Sequence, residues 1–238
     1  MKNQSSWSPS KFAISKGQLV PSKAVSINSY RMASYIALFY NEVIPKFASG
    51  NLLDLGCGKA PLFEFYKNKV NSVTTADWEN CEHGISYIDH FCDINLALPF
   101  QDNSFDTVVL SDVLEHLSNP EFTITEINRI LKPNGFLLMN YPFHYGLHEI
   151  PFDYCRYTKF RIESWINNNE MKIVYQTELG GLKDILEHAI LRILKQLKGG
   201  RYLSFVIGGI SKIVRKSKLH GDPTDPYAYG FVAQKKEY

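Results

Sequence analysis

Leu52-Leu53-Asp54-Leu55-Gly56-Cys57-Gly58-Lys59-Ala60-Pro61 is the stretch on which the fold of this chain turns. Its first four residues read as a short buried strand, and they run without a linker into a glycine turn. Downstream the pattern alternates. Leu62–Lys69 reads as a helix, Ser72–Ala76 as a second strand ending at Asp77, and Ser86–Phe91 as a third. Phe105–Ser111 (FDTVVLS) is an almost continuous apolar run, as expected of a central strand buried on both faces. Asn119 and Pro120 suit the N-cap and first position of a helix, on which Ile124, Ile127 and Leu131 share a face. Lys132–Gly135 reads as a turn, Phe136–Asn140 as a fifth strand and Lys172–Gln176 as a sixth, with a helix from Thr158 to Asn168 between them. Tyr229–Gln234 is a seventh. Strands that alternate with helices predict an α/β fold with a doubly wound, largely parallel sheet.

Upstream, residues 1–25 are polar and carry Pro9 and Pro21, the mark of an irregular arm. Ser26 is placed to cap a helix whose apolar positions Tyr30, Ala33, Ala37, Tyr40 and Ile44 recur at helical spacing, with Pro45 and Gly50 ending it. The 238 residues suffice for one large α/β domain. With 45% apolar and 21% charged residues the chain has an ordinary core-forming composition, and its net charge of +2 favours no partner. The charge is unevenly spread. Residues 183–218 hold nine Lys/Arg against Asp184 and Glu187, which leaves the rest at a net −5. Cys57, Cys81, Cys92 and Cys155 form no CxxC pair, which argues against a zinc knuckle or disulfide framework and for a reducing compartment. The first residues lack the apolar core of a secretory signal, and no apolar run approaches the ~20 residues of a membrane span. A cytoplasmic enzyme is the expectation.

In a doubly wound sheet, ligands bind beyond the carboxyl ends of the strands where strand order reverses. Gly56 and Gly58 allow a tight turn and close approach of the backbone to a ligand. A dinucleotide fingerprint wants Gly or Ala at the sixth position of GxGxxG, where this chain has Pro61. Asp54, two residues before the first glycine, suits a ligand that presents an amino group. Asp77, which closes the second strand 21 residues after Gly56, can accept both hydroxyls of a ribose. Asp93 after the third strand can meet an adenine amino group.

On these residues the chain resembles the class I methyltransferases that use S-adenosylmethionine (SAM), most closely the type 11 branch. The resemblance runs in order through LLDLGCGKAP (52–61), Asp77, FCDINLALPF (91–100), FDTVVLSDVLEHL (105–117) and LKPNGFLLMNYP (131–142). It implies a Rossmann-like sheet whose last strand is antiparallel. It also implies a donor site in which Asp54, Gly56 and Gly58 cradle the methionine end, Asp77 takes the ribose, and Asp93 with Ile94 takes the adenine. Trp78 would stack on the adenine, and Ser111 and Asp112 would lie beside the sulfonium. The family's frequent third glycine is Ala60 here, a small residue expected to fit.

The segment Tyr141–Thr158 follows the fifth strand and so opens beside the expected donor. Methyl transfer to a hydroxyl needs an acceptor held in line and a base for its proton. His148 is the first candidate for that base, with Glu149 and His144 behind it. Asp153, Tyr154 and Arg156 are candidates for holding the acceptor, Arg156 through bidentate bonds to an anion. Asp153 and Arg156 could equally form a self-satisfied polar network. His144, His148, Glu149 and Asp153 could alternatively ligate a divalent metal, but their irregular spacing argues against it, and no metal is expected. His116 reads as a wall of the donor pocket. A similar loop recurs in methyltransferases associated with cell-surface polysaccharide pathways, which points loosely to a saccharide-type acceptor.

Within 183–218, Ile185, Leu186, Ala189, Ile190, Ile193, Leu194 and Leu197 share a helical face, and Gly199-Gly200 breaks the helix. A second apolar stretch leads into Arg215-Lys216-Ser217-Lys218. Such a segment serves as a lid, a homodimer contact or a peripheral membrane contact. Nucleic acid is not an expected partner, because the rest of the chain is net negative and the basic residues alternate with aliphatics. The expected plan is one domain: residues 1–50 as arm and helical cap, 51–181 as donor-binding core, 182–224 as basic helical insertion and 225–238 as final strand. The expected activity is SAM-dependent methylation of a small or saccharide-type acceptor at oxygen. The alternatives are N-methylation and a catalytically silent SAM-binding protein that acts through its basic segment.

Overall fold

A computed structural model describes residues 1–80, 86–197, 202, 206, 207, 209 and 219–237. Seven strands form one sheet: β3 (Asn51–Leu55), β4 (Ser72–Asp77), β5 (His90–Phe91), β6 (Phe105–Ser111), β7 (Leu131–Pro142), β8 (Met171–Leu179) and β9 (Ala228–Lys235). Their order across the sheet is β5-β4-β3-β6-β7-β9-β8. From β5 to β7 all neighbours are parallel, while β9 runs antiparallel to both β7 and β8. The sheet is the expected doubly wound, Rossmann-like one with its last strand reversed. A separate hairpin joins β1 (Phe12–Ser15) to β2 (Gln18–Pro21).

The central strands read as unbroken apolar runs because both faces of the sheet are covered. Leu53, Leu55, Val108, Leu110, Leu137 and Met139 pack beneath α3 (Pro120–Ile130) and α4 (Lys159–Asn168). The alternate residues Leu52, Val109 and Leu138 face α1 (Tyr30–Phe47) and α2 (Phe63–Tyr66). Leu110 is fully buried, so Leu110→Ala would cost about 2–5 kcal/mol in lost transfer energy and cavity formation. The alternation also sets Asp54 on the α1/α2 face, two residues on from Leu52, where the Tyr66 hydroxyl of α2 donates to its Oδ2 at 2.6 Å.

Several boundaries differ from the sequence expectation. The arm is not wholly irregular. Lys16 and Gly17 both take positive φ (52° and 75°), which closes a two-residue hairpin turn, and the Asn41 side chain bonds Leu19 through both its amide atoms. Helix α1 begins at Tyr30, with Ser26 bonding Ser29 in the turn before it. The helix also runs through Pro45 to Phe47, because a proline near a C-terminus forfeits a single intrahelical bond. Among the described residues the third strand of the sequence reading shrinks to His90–Phe91, and the helix expected over Leu62–Lys69 shrinks to Phe63–Tyr66. The Lys132–Gly135 turn lies inside β7, as an irregularity between its pairings Phe105–Leu131 and Thr107–Phe136. Helix α5 (Leu182–Gln196) covers the first part of the basic segment. Cys81 and most of 198–218, including Gly199-Gly200 and the Lys212–Lys218 cluster, lie outside the described residues.

Helix α5 turns Asp184, His188 and Leu191 inward and leaves Leu182, Leu186, Ile190, Ile193 and Leu197 exposed. Its inner face meets the segment after β7. His188 lies 4.7 Å from the Tyr145 ring, and the Arg192 guanidinium covers Gly146, where a Cβ would come within 1.1 Å of Nη1. No described helix is long and apolar enough to cross a membrane.

Candidate active site

Strand order reverses between β3 and β6, because the chain winds outward from β3 to β5 and then returns to place β6 on the other side. The loops after β3 and β6 therefore part at their carboxyl ends and open a crevice. Gly56 and Gly58 take φ of 71° and 49°, and the amides of Gly56 and Cys57 both donate to Ala76 O at the end of β4 (2.8 and 3.2 Å). A Cβ at Gly56 would fall 2.5 Å from Val113 Cγ2. The turn is thus folded back onto β4 and pressed against the loop after β6, which only glycine permits. Ala60, at the family's third glycine, is fully buried with φ 47°; it fits the space but in a backbone region that disfavours a Cβ.

A cavity of about 500 Å³ fills this crevice. All nine residues expected at the donor site line it: Asp54, Gly56, Gly58, Asp77, Trp78, Asp93, Ile94, Ser111 and Asp112. Asp77 does more than face a ligand. Its Oδ2 accepts from Gly58 N at 2.7 Å and its Oδ1 from Trp78 N at 2.8 Å, so one carboxylate ties the glycine turn to the end of β4. Burial lifts the Asp54 carboxyl to about 7, helped by the charge of Asp77 and opposed by the Tyr66 hydroxyl. Asp93 accepts from both amide nitrogens of Asn95, whose own Oδ1 accepts from Ser118 and Asn119. Phe152, from the segment after β7, stands edge-on to Trp78 at 5.1 Å and with Tyr154 closes that end of the cavity.

A second cavity of about 760 Å³ adjoins the first. Ser10, Lys11, Lys59, Asp112 and Glu149 line both. Asp112 stands at this junction with φ 53°, held by Asn140 Nδ2 at 2.6 Å and ion-paired with Lys11. The charge of Asp112 outweighs burial and holds the Lys11 ammonium above its usual range. Asn140 is itself fixed, since its Oδ1 accepts from the Tyr40 and Ser111 hydroxyls, each at 2.9 Å. The arm places Lys11: Trp7 Nε1 donates to Lys59 O and Ala60 O (3.2 Å each), and its ring packs on Phe63. Sequence reading missed Lys11 because nothing local marks an arm residue as part of a site 100 residues away.

The candidates from Tyr141–Thr158 part company in the structure. His148 and Glu149 line the second cavity, while His144 is exposed against Phe143 and lines neither. Asp153 and Arg156 are spent on each other: Arg156 Nη2 donates to Asp153 Oδ2 at 2.8 Å, and its Nη1 pairs with Oδ1. Neither is among the residues lining these two cavities, and the pair forms the polar network that was the alternative reading. Asp153 Oδ2 accepts from His148 N at 3.1 Å, which holds the backbone there, and lies 3.2 Å from its Nδ1. Arg156 holds the Asp153 carboxyl down at about 2 against the effect of burial. Tyr154 alone of the three reaches a cavity, on the donor side.

Glu115 is the residue that sequence reading passed over, although it sits in the quoted DVLEHL run. Its side chain is 1% exposed, and Oε1 lies 3.6 Å from His148 Nε2 and 3.7 Å from His116 Nε2. Burial lifts its carboxyl above the usual range. Burial alone would lower the His148 imidazole, but the charges of Glu115 and Asp153 outweigh it and hold it above the ordinary histidine value.

Comparison with known proteins agrees with this geometry. Residues 53–139 match a methyltransferase-domain family. The ubiquinone/menaquinone biosynthesis C-methyltransferase UbiE of Blochmanniella pennsylvanica is 46% identical over 43 residues, which is 18% of this chain. The match spans 17% of that relative's length. Among solved structures, the [4+2]-cyclase SpnF is similar with a TM-score of 0.57 and 15% identity, covering 97% of this chain and 88% of that one. A SAM-dependent methyltransferase from Archaeoglobus fulgidus is similar with a TM-score of 0.56 and 15% identity, covering 87% and 97%. At such identities the structural likeness speaks for the fold.

Proposed function

We propose that this chain is a class I SAM-dependent methyltransferase and transfers a methyl group to an oxygen of a small, saccharide-type acceptor seated in the 760 Å³ cavity. The observation that carries the reading is the shared wall. A donor-sized cavity, with the donor family's acids and glycines around it, meets a second cavity at Asp112 and Glu149. Methyl transfer needs two ligands that meet end to end with water excluded.

The residues fit the donor. The Gly56 turn leaves room only where a Cβ would collide, and Asp77 is anchored at the crevice mouth by two backbone amides. Asp54, Gly56 and Gly58 would hold its methionine end, Asp77 its ribose, and Asp93 with Ile94 its adenine beside Trp78. When bound, SAM supplies a methyl carbon activated by its sulfonium. On the acceptor side, the hydroxyls of Ser8, Ser10, Ser26, Ser29 and Tyr145 suit an acceptor rich in hydroxyls, and Val25, Met32 and Ala33 offer an apolar wall. His148, held by Asp153 and Glu115, stands in reach of an acceptor hydroxyl and takes its proton. Lys11 and Asn140 keep Asp112 fixed at the junction.

The test is an acceptor screen by mass. The protein is incubated with SAM and monosaccharides or nucleotide sugars, and S-adenosylhomocysteine and the methylated product are sought. An oxygen-linked methyl group on a hydroxyl-bearing acceptor is expected. A product methylated at nitrogen would favour the other acceptor class. Donor binding without turnover on any acceptor would leave a SAM-binding protein.

The exposed apolar stripe of α5 supports a further contact. Leu186, Ile190 and Ile193 are about half exposed (53, 48 and 59%), with Lys183, Arg192 and Lys195 on the same helix. Its inner face packs on Tyr145, which lines the acceptor-side cavity, and the outer face suits a peripheral membrane contact. Co-sedimentation with anionic liposomes that weakens at high salt is expected. A homodimer in solution without liposome binding would assign the stripe to a second copy.

A further inference from the structure

We infer that Glu115, His116 and His148 bind a divalent transition-metal ion at the junction of the two cavities. The inference rests on the reading of the larger cavity as the acceptor's, and it adds a site for which the sequence offers no ligand spacing. One carboxylate oxygen and two imidazole nitrogens, one from each residue, all lie within 4.8 Å of one another. Glu115 Oε1 is 3.7 Å from His116 Nε2 and 3.6 Å from His148 Nε2. Two ligand atoms about 2.0–2.1 Å from a tetrahedral ion stand roughly 3.4 Å apart, so the gaps are long for hydrogen bonds and close to those of a shared cation.

The bonding around the three residues points the same way. Both carboxylate oxygens of Glu115 are buried without a hydrogen-bond partner, and so is His116 Nε2. A carboxylate 1% exposed is costly to leave unsatisfied, and a cation meets both demands at once. His116 Nδ1 is supported by Phe152 O at 3.0 Å, and Asp153 Oδ2, itself clamped by Arg156, stands 3.2 Å from His148 Nδ1 as an ion-pair neighbour without a formed hydrogen bond. Metal-binding histidines nearly always have such an outer carbonyl or carboxylate, which fixes the tautomer and leaves Nε2 to the ion.

A His₂-carboxylate set with an open position is a donor set of zinc and related first-row ions. Glu115 and His148 line the acceptor cavity and His116 lines the donor cavity, so the open position faces the place where the two ligands meet. There an acceptor oxygen would complete the coordination and be oriented toward the donor. Coordination would make its hydroxyl proton easier to lose, and with His148 held as a ligand that proton would pass to the carboxylate of Glu149, which lines both cavities.

The experiment titrates the EDTA-treated, dialysed 238-residue chain with Zn²⁺ by calorimetry and with Co²⁺ by visible absorption. One ion per chain is expected, with the d–d bands of a four- or five-coordinate Co²⁺ site. Binding should weaken at least a hundredfold in Glu115→Gln and in His116→Ala, and about 10–100-fold in Asp153→Asn, which changes only the outer support. Circular dichroism confirms that each variant is folded, and the wild-type cobalt spectrum stands whatever the variants do. No binding of either ion, or binding unchanged in the folded variants, overturns the inference. SAM is titrated separately in EDTA. Loss of SAM binding there would remove the methyltransferase reading and leave the cation site, whereas SAM binding and turnover in EDTA without metal binding would do the reverse.

Discussion

The two cavities that meet at Asp112 are built in opposite ways. The crevice expected to take the donor is local: Asp54, Gly56, Gly58, Asp77, Asp93 and Asp112 all stand within three residues of a strand's carboxyl end, so chain order alone brings them to one edge of the sheet. The acceptor side is assembled from distant pieces: residues 8–11 of the arm, 24–33 before and in α1, Glu115 after β6, and 145–149 after β7. A site made of strand ends is fixed once the sheet forms. A site made of loops depends on how those loops pack, and here that packing runs through Trp7, Asp153–Arg156 and the contact of His188 with Tyr145.

The largest expected effect separates the two sides. His148→Ala should cut turnover by roughly 10²–10⁴-fold, as removal of a base or of a ligand to an acceptor-side cation does, while SAM affinity stays within about twofold. The check is steady-state kinetics beside calorimetry. A parallel loss of SAM affinity would break the division into two sides. In the other direction, Asp77→Ala should weaken SAM binding by about 1–3 kcal/mol, since it removes ribose contacts and the acceptor of the Gly58 and Trp78 amides. Unchanged affinity would take Asp77 out of the site.

The pH dependence of donor binding sharpens the picture of Asp54. Its folded pKa of about 7 lies above the unfolded value near 3.9, so between these the folded chain holds the extra proton. A donor whose ammonium group favours the carboxylate should therefore bind more tightly as pH rises through 7, by up to about tenfold from pH 6 to pH 8. Asp54→Asn should flatten that profile. A flat wild-type profile would place the methionine end elsewhere. The smallest effect concerns Ala60. Ala60→Gly should leave stability unchanged or raise it by up to about 1 kcal/mol in a denaturant titration, because glycine removes left-handed strain at φ 47° but adds unfolded-state entropy. A marked loss would mean that the buried methyl group contributes more than the strain costs.

The same contrast explains what the sequence made legible. All seven strands of the sheet could be read, because apolar runs bounded by turn residues are a local signal, and the nine residues expected at the donor site, which line one cavity, followed from strand-end positions together with the family resemblance. The hairpin at Lys16-Gly17 left a signal, a glycine between two short apolar runs, that two nearby prolines obscured. The acceptor side was not legible. Lys11 reaches Asp112 across 101 positions, and Glu115 becomes conspicuous only once His148 is seen beside it. Asp153 and Arg156 looked like acceptor ligands because charge in a loop next to a donor invites that role, yet their geometry fits each other.

The most direct measurement is a crystal structure of the protein with S-adenosylhomocysteine. The ribose should lie on Asp77 and the adenine between Asp93 and Trp78, with the sulfur beside Asp112 facing the cavity lined by His148. A nucleoside bound outside the crevice, or a sulfur turned away from that cavity, would contradict the meeting of donor and acceptor at Asp112.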